Sequence, residues 1–243
     1  MAKIPERYER QLLLPQIGPE GQQKLAKARV AVLGAGGLGA PVLQYLAVAG
    51  VGALTIIDGD VVSPSNLNRQ VLYTAADIGR PKALLSAAAV RRLNPDVAVT
   101  PLAQMLTAAN AQSLLQGHDA AMFCLDNAAA RLLATRAAVA LGLPCVEGAV
   151  EAFHGRLMMI VPGQGPCYEC LHGQVAPRTG PAAVIGAMPG MVGSMMALLA
   201  LQHLLGLPTP VGRLLLIDGR RFEIEHLAVK RNPACPACGG ARG

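Results

Sequence analysis

Four cysteines fall in two pairs, Cys167-x-x-Cys170 and Cys235-x-x-Cys238. In a reducing compartment such pairs point to a metal rather than to disulfides. Pro166 before the first pair and Asn232-Pro233 before the second supply the turn chemistry of a knuckle. A closed tetrahedral set of four thiolates is structural zinc chemistry, because no ligand position stays open for water. One pair alone would equally suit a redox C-x-x-C at a helix start; the second pair favours zinc. Cys124 and Cys145 lie in apolar, strand-like runs and are expected to be ordinary buried thiols.

A second constellation is built for phosphate. Gly34-Ala35-Gly36-Gly37-Leu38-Gly39 has the form G-x-G-x-x-G, directly after a strand signal and at the start of a helix signal. The glycines allow a tight turn, close approach of backbone to phosphate, and helix-on-strand packing. The helix start adds free N–H groups and the positive end of its dipole. Asp58, at the end of the next strand signal, can accept hydrogen bonds from both ribose hydroxyls. This much fits a dinucleotide or ATP, and by itself leans to NAD.

The following loop shifts that balance. Asp58-Gly59-Asp60 leads into Ser65-Asn66-Leu67-Asn68-Arg69-Gln70, and Lys82 follows. Two cations and several amides on one side of a sheet suit a triphosphate and can stabilise charge on departing pyrophosphate. Singly, Arg69 or Lys82 would read as a solvated charge. Asp126, in Cys124-Leu125-Asp126-Asn127, is placed either to hold Mg²⁺ against phosphate oxygens or to cap the helix that begins at Asn127.

These residues must be positioned by a regular alternation of elements. Strand signals at Arg29 to Leu33, Ala53 to Ile57, Val97 to Pro101, Ala120 to Cys124 and from Pro144 onward alternate with helix signals at Leu38 to Ala49, Lys82 to Leu93, Ala108 to Gln116 and Asn127 to Leu141. That order predicts right-handed crossovers and a Rossmann-like, mostly parallel α/β sheet with helices on both faces. After Val150 the strands at Arg156 to Val161, Arg213 to Ile217 and Arg221 to Leu227 imply a C-terminal antiparallel extension. The first 28 residues read as a helical preface (Glu6 to Leu14, Pro19 to Lys27). We expect one domain over 1–243, with a nucleotide-binding half at 29–150 and a second half at 151–243 carrying the zinc knuckle.

Composition agrees. The chain has 243 residues, 52% hydrophobic and 15% charged, with no Trp. That excludes a disordered chain and requires an aliphatic core. The net charge of +6 points to anionic partners. The scarcity of aromatic platforms argues against nucleic acid. Ala182 to Leu205 is apolar and long enough to span a bilayer. Pro189-Gly190 near its centre and Gln202-His203 near its end make it a buried helix instead. Met1 to Gln11 carries charges and no apolar core, so no secretory signal is expected, and the chain reads as cytoplasmic and not membrane-bound.

Taken in order, Arg7-Tyr8-Glu9-Arg10-Gln11, Gly34 to Gly39, Ser65 to Gln70, Gly79 to Lys82, Asp126-Asn127 and both C-x-x-C pairs resemble the MoeB/ThiF/HesA family, bacterial relatives of ubiquitin-activating enzymes. The likeness covers nearly the whole chain. It implies a homodimer that binds ATP with Mg²⁺ and adenylates the C-terminal glycine of a small ubiquitin-like sulfur-carrier protein ending in Gly-Gly, as in molybdopterin or thiamine biosynthesis. It also implies that the half at 151–243 binds the carrier. The nucleotide-binding set would be Gly34, Gly36, Gly37, Gly39, Asp58, Ser65, Asn66, Leu67, Asn68, Arg69, Gln70, Lys82, Asp126 and Asn127. Arg10, Arg69, Lys82 and Asp126 would form the catalytic set, with Arg10 reaching the neighbouring subunit's phosphates. Only the resemblance assigns Arg10 that role.

The chemistry is consistent with this inventory. A carboxylate attacking the α-phosphorus is already ionised near neutral pH, so no general base is required, and no Ser-His-Asp set stands out. Some relatives carry a Cys before the long apolar helix for a covalent carrier intermediate. Here His172 to Met188 has none, and Thr179 stands near the matching position. The chain is therefore expected to stop at the acyl-adenylate, with a separate sulfur donor. It also ends soon after Cys238, so no fused rhodanese-like domain is expected. Two other functions compete: an NAD-dependent oxidoreductase using the same loop, for which His118, His154 and His172 show no recognisable carboxylate partner, and a non-catalytic carrier-binding module.

Overall fold

The computed structural model describes residues 5–173 and 183–239. Its strands are β1 Arg29–Leu33, β2 Ala53–Ile57, β3 Ala98–Leu102, β4 Ala120–Phe123, β5 Cys145–Glu151, β6 His154–Ile160, β7 Arg213–Asp218 and β8 Glu223–Ala228. They form one sheet in the order β3-β2-β1-β4-β5-β6-β7-β8. The pairs from β3 to β5 are parallel, and those from β5 to β8 antiparallel. The expected sheet, with its antiparallel extension, is what forms.

The helices are α1 Glu9–Leu12, α2 Gly18–Lys27, α3 Gly39–Val48, α4 Lys82–Leu93, α5 Ala111–Leu115, α6 Ala128–Ala140, α7 Tyr168–His172 and α8 Ala187–Leu205. The two-residue alternation of each strand divides its side chains between two cores. Val30, Val32, Leu54, Ile56 and Met122 join α3, α4 and α8 on one face. Ala31, Leu33, Phe123 and Cys145 join α5, α6 and the cysteine knuckle on the other. β4 is buried at every position, as a central parallel strand must be.

Several boundaries differ from expectation for local reasons. α5 is shorter than Ala108 to Gln116 because the Asn110 side chain takes the Thr107 N–H and donates to the Met105 carbonyl, holding a turn in place of the first helical turn. β3 runs one residue further, and its Pro101 is tolerated because β3 is an edge strand. β8 starts after a turn in which Asp218 accepts from the N–H groups of Arg220 and Arg221. The preface divides into a 3-10 turn at Glu6–Tyr8, α1 and α2.

α8 begins later than the apolar run does, so Pro189 falls in its first turn rather than its centre, where a missing N–H costs nothing. By length and composition α8 could cross a membrane. In the fold its Met188, Val192, Met196, Ala197 and Ala200 are core residues on the sheet face shared with α3. Gly206, at φ +76°, ends it in the left-handed conformation.

Candidate active site

In this strand order the chain leaves β1 in one direction to β2 and β3 and returns on the other side to β4. The carboxyl ends of β1 and β4 therefore flank a crevice, the place where open α/β sheets take ligands. Gly34 follows β1, Asp58 follows β2 and Asp126 lies three residues past Phe123, the last of β4. All three meet at one edge.

The glycine loop is shaped by steric necessity. Gly34 has φ +94°, and a Cβ there would run into the Cys124 carbonyl. A Cβ on Gly39 would strike the Gly34 carbonyl, so α3 can approach β1 only without one. Ala35 donates its N–H to Asp58 Oδ2 at 2.7 Å. The N–H groups of Gly36, Gly37 and Leu38 then donate to nothing among the described residues. Three free amides at a helix start form an anion cradle. Pro189 of α8 and the Arg69 side chain bound the space over Gly37, 3.1 and 3.5 Å from where a Cβ would sit.

Asp58 is buried and accepts a second bond from the Asp60 N–H at 2.8 Å. Burial holds its carboxyl above the ordinary value, against those two donors and Lys82, which pull it down. Each oxygen keeps acceptor capacity for a hydroxyl. Lys82, the first residue of α4, is nearly buried and reaches Asp60 Oδ2 at 3.1 Å, whose own side chain is 58% exposed. Asn66 is buried and caps its own 3-10 turn, Pro64–Asn66, by accepting from the Ser63 N–H. Arg69 is held by its loop, donating to the Ser65 carbonyl at 2.7 Å and to Asn68 Oδ1 at 3.0 Å. Gln70 lies against Gly36, and its buried Oε1 has no partner among the described residues.

Of the two roles open to Asp126, the cap belongs to its neighbour: Asn127 Oδ1 accepts from the Ala130 N–H at 2.8 Å. Asp126 is left exposed at the crevice, and among the described residues its side chain is hydrogen-bonded only by the Asn127 amide at 3.2 Å. Arg10 does not join the site of its own chain. Its element is tied to the far end of α3, where Gln11 donates to the Ala49 carbonyl and the Tyr8 ring crowds Gly50. α3 has ten residues, and so separates that point from the glycine loop by about 15 Å. Arg10 is exposed there. Thr179 lies outside the described residues.

The structure adds charged residues that sequence reading missed. Glu147, 1% exposed, lies 3.1 Å from Arg131 Nε and 3.2 Å from Arg156. Arg131 donates to the carbonyl of Leu125, the residue before Asp126. Arg156 contacts His172 Nε2 at 2.7 Å and stacks over Tyr168, both on α7. Arg136 of α6 clasps Glu169 of α7 with two hydrogen bonds. A charge inside an apolar strand run was the available signal for Glu147.

The four knuckle cysteines converge. Their sulfurs all lie within 4.8 Å of one another, with Cys167–Cys235 at 3.6 Å and Cys170–Cys238 at 3.3 Å. Sulfurs bonded at ~2.3 Å around a tetrahedral ion lie about 3.8 Å apart, so the set fits such an ion. Burial raises the Cys170 thiol, but N–H groups, including that of Asn232 at 3.4 Å, outweigh it and hold the group below its ordinary value, toward the metal-binding thiolate. Cys124 and Cys145 are buried thiols pushed up by desolvation, as expected.

The ThiF family profile matches residues 8–237. A Thermus thermophilus protein described as a sulfur carrier protein adenylyltransferase is 46% identical over 96% of this chain and 90% of its own length. The Escherichia coli sulfur carrier protein ThiS adenylyltransferase is 41% identical over 97% of this chain and 95% of its own. Among solved structures, E. coli MccB with MccA-N7isoASN shares the fold at TM-score 0.86 and 23% identity, covering 97% of this chain and 76% of that one.

Proposed function

This chain belongs to the ThiF family, and we propose that it is an adenylyltransferase that uses ATP to activate the C-terminal glycine of a small ubiquitin-like sulfur-carrier protein ending in Gly-Gly. The pathway would be sulfur-transfer biosynthesis of the molybdopterin or thiamine type, in the cytoplasm. One observation carries the ATP reading: the free amides of the glycine loop, Asp58, Lys82 and Asp126 meet at a single sheet edge. The close relatives described as sulfur carrier adenylyltransferases support the carrier as co-substrate.

The reaction follows from these groups. The glycine loop and Lys82 hold the phosphates, and Asp58 orients the ribose. The carrier's carboxylate attacks the α-phosphorus; the bond to the bridging oxygen breaks, and pyrophosphate leaves with the electron pair. Lys82 and Arg69 stabilise that departing charge, so catalysis is positioning and electrostatics. Asp126 would hold Mg²⁺, which supplies further charge neutralisation at the phosphates. The four cysteines would hold a structural Zn²⁺ that fastens the C-terminal segment to α7.

A homodimer completes the proposal. Arg10 is exposed and remote from its own crevice, which supports a role for it in the partner's. Exposed Leu13, Leu14, Tyr45, Val48 and Leu198 supply apolar surface on α3, α8 and the segment after α1. The absence of a Cys between His172 and Met188 supports a separate sulfur donor.

The test is exchange of labelled pyrophosphate into ATP. Exchange that depends on a Gly-Gly carrier is expected, and none with any such carrier would sink the reading. Asp126→Ala should abolish exchange while the circular dichroism spectrum is retained; preserved exchange would remove Asp126 from the mechanism.

A further inference from the structure

Tyr73 is a buried phenol with no part in the proposed reaction. Its hydroxyl lies 2.7 Å from the Ala35 carbonyl, 2.8 Å from Ser86 Oγ and 3.4 Å from the Lys82 carbonyl. A phenol has one proton to give and a carbonyl can only accept. The chain of donation therefore runs from Ser86 to Tyr73 to Ala35. Ser86 is fully buried on α4, one turn past Lys82.

We propose that Tyr73 is a positioning residue for the nucleotide, its hydroxyl joining the glycine loop to the first turn of α4 so that the loop amides and Lys82 close on one triphosphate at a fixed separation. The inference rests on the ATP reading and deepens it. Ala35 is the residue from which the free amides project. Asp58 grips its N–H and Tyr73 its carbonyl. The Ala35 carbonyl and the Gly36 N–H share one planar peptide unit, so a hydroxyl that holds the carbonyl also sets the direction of the first free amide. On the other side, Lys82 and Ser86 share a helical turn, so the hydroxyl that holds Ser86 also sets where the lysine stem begins.

The same segment makes a second contact with the loop. Tyr73 donates its N–H to the Gln70 carbonyl, and Gln70 lies against Gly36. Residues 70–73 thus brace the glycine loop at two consecutive positions. Desolvation raises the phenol far above its ordinary value, so it keeps the donated proton at any working pH.

A purely structural tyrosine and a phosphate-positioning one differ in what they do to ligand discrimination. ATP uses the loop amides and Lys82 together; adenosine uses neither. Tyr73→Phe keeps the ring and removes the joint. Titration calorimetry should show ATP binding weakened about five-fold, the scale of one lost hydrogen bond, with adenosine binding unchanged. Ser86→Ala should weaken ATP binding less, and the double variant no more than Tyr73→Phe. Should Tyr73→Phe fail to fold, Ser86→Ala carries the same comparison. Unchanged ATP binding, or equal losses for ATP and adenosine, overturns the inference alone. A wild-type chain that binds no ATP overturns the ATP reading, and the inference with it.

Discussion

At the residue scale, pH reports on the ionisable groups that burial opposes. His118 is half-buried at the edge of the sheet opposite the crevice. Its ring contacts the Leu115 carbonyl at 3.1 Å and Thr55 Oγ1 at 2.8 Å. A carbonyl can only accept, so Nδ1 carries the proton and Nε2 accepts from Thr55 in the neutral ring. Desolvation holds His118 below its ordinary value of 6.5, outweighing the Leu115 bond, and Arg29 adds to the effect. A lowered folded value means the unfolded chain takes up a proton first. The stability this group contributes is therefore complete above 6.5 and lost as pH falls through the folded value. Melting temperature should fall on acidification through that window, and His118→Gln should make the fall shallower. An unchanged slope would show that other groups set it.

At the element scale, α6 acts as a strut. Its N-cap adjoins Asp126, Arg131 in its second turn meets Glu147 and the Leu125 carbonyl, and Arg136 clasps α7 of the knuckle. Glu147 is buried between two guanidinium groups that are themselves largely covered, 10% and 19% exposed. Such a pair adds little over an apolar replacement, but removing one partner strands buried charge. Glu147→Ala should therefore cost about 3 kcal/mol in denaturant unfolding, and Glu147→Gln distinctly less. Equal stability of Glu147→Ala and wild type would mean that water already screens the arginines.

At the scale of the whole molecule, one sheet carries the crevice on its parallel half and ends in an exposed antiparallel strand, β8. The site within one chain lacks Arg10, which the proposed dimer supplies from the partner. Subunit exchange tests this directly. Arg10→Ala and Asp126→Ala should each be inactive alone. Mixed after dissociation and reassociation, they should recover exchange, because one site in each heterodimer then has an intact Asp126 and receives Arg10 from its partner. No recovery, with heterodimers verified by mass, would place Arg10 outside the partner's site.

Much of this architecture was legible along the chain. β1, β2 and α4 begin and end where the pattern of residues places them, because strand alternation, helix starts and glycine turns are decided by near neighbours. The phosphate loop and the paired cysteines were legible for the same reason: each is a short motif whose spacing is its chemistry. What only the tertiary structure decided are contacts between elements distant in sequence. No local pattern shows that Tyr73 reaches Ala35 and Ser86, that Glu147 lies between Arg131 and Arg156, or that Asn127 takes the cap and leaves Asp126 exposed. Nor does one show that Arg10 is remote from its own crevice. These depend on which faces pack together, and packing is set by the whole apolar surface rather than by any one segment of it.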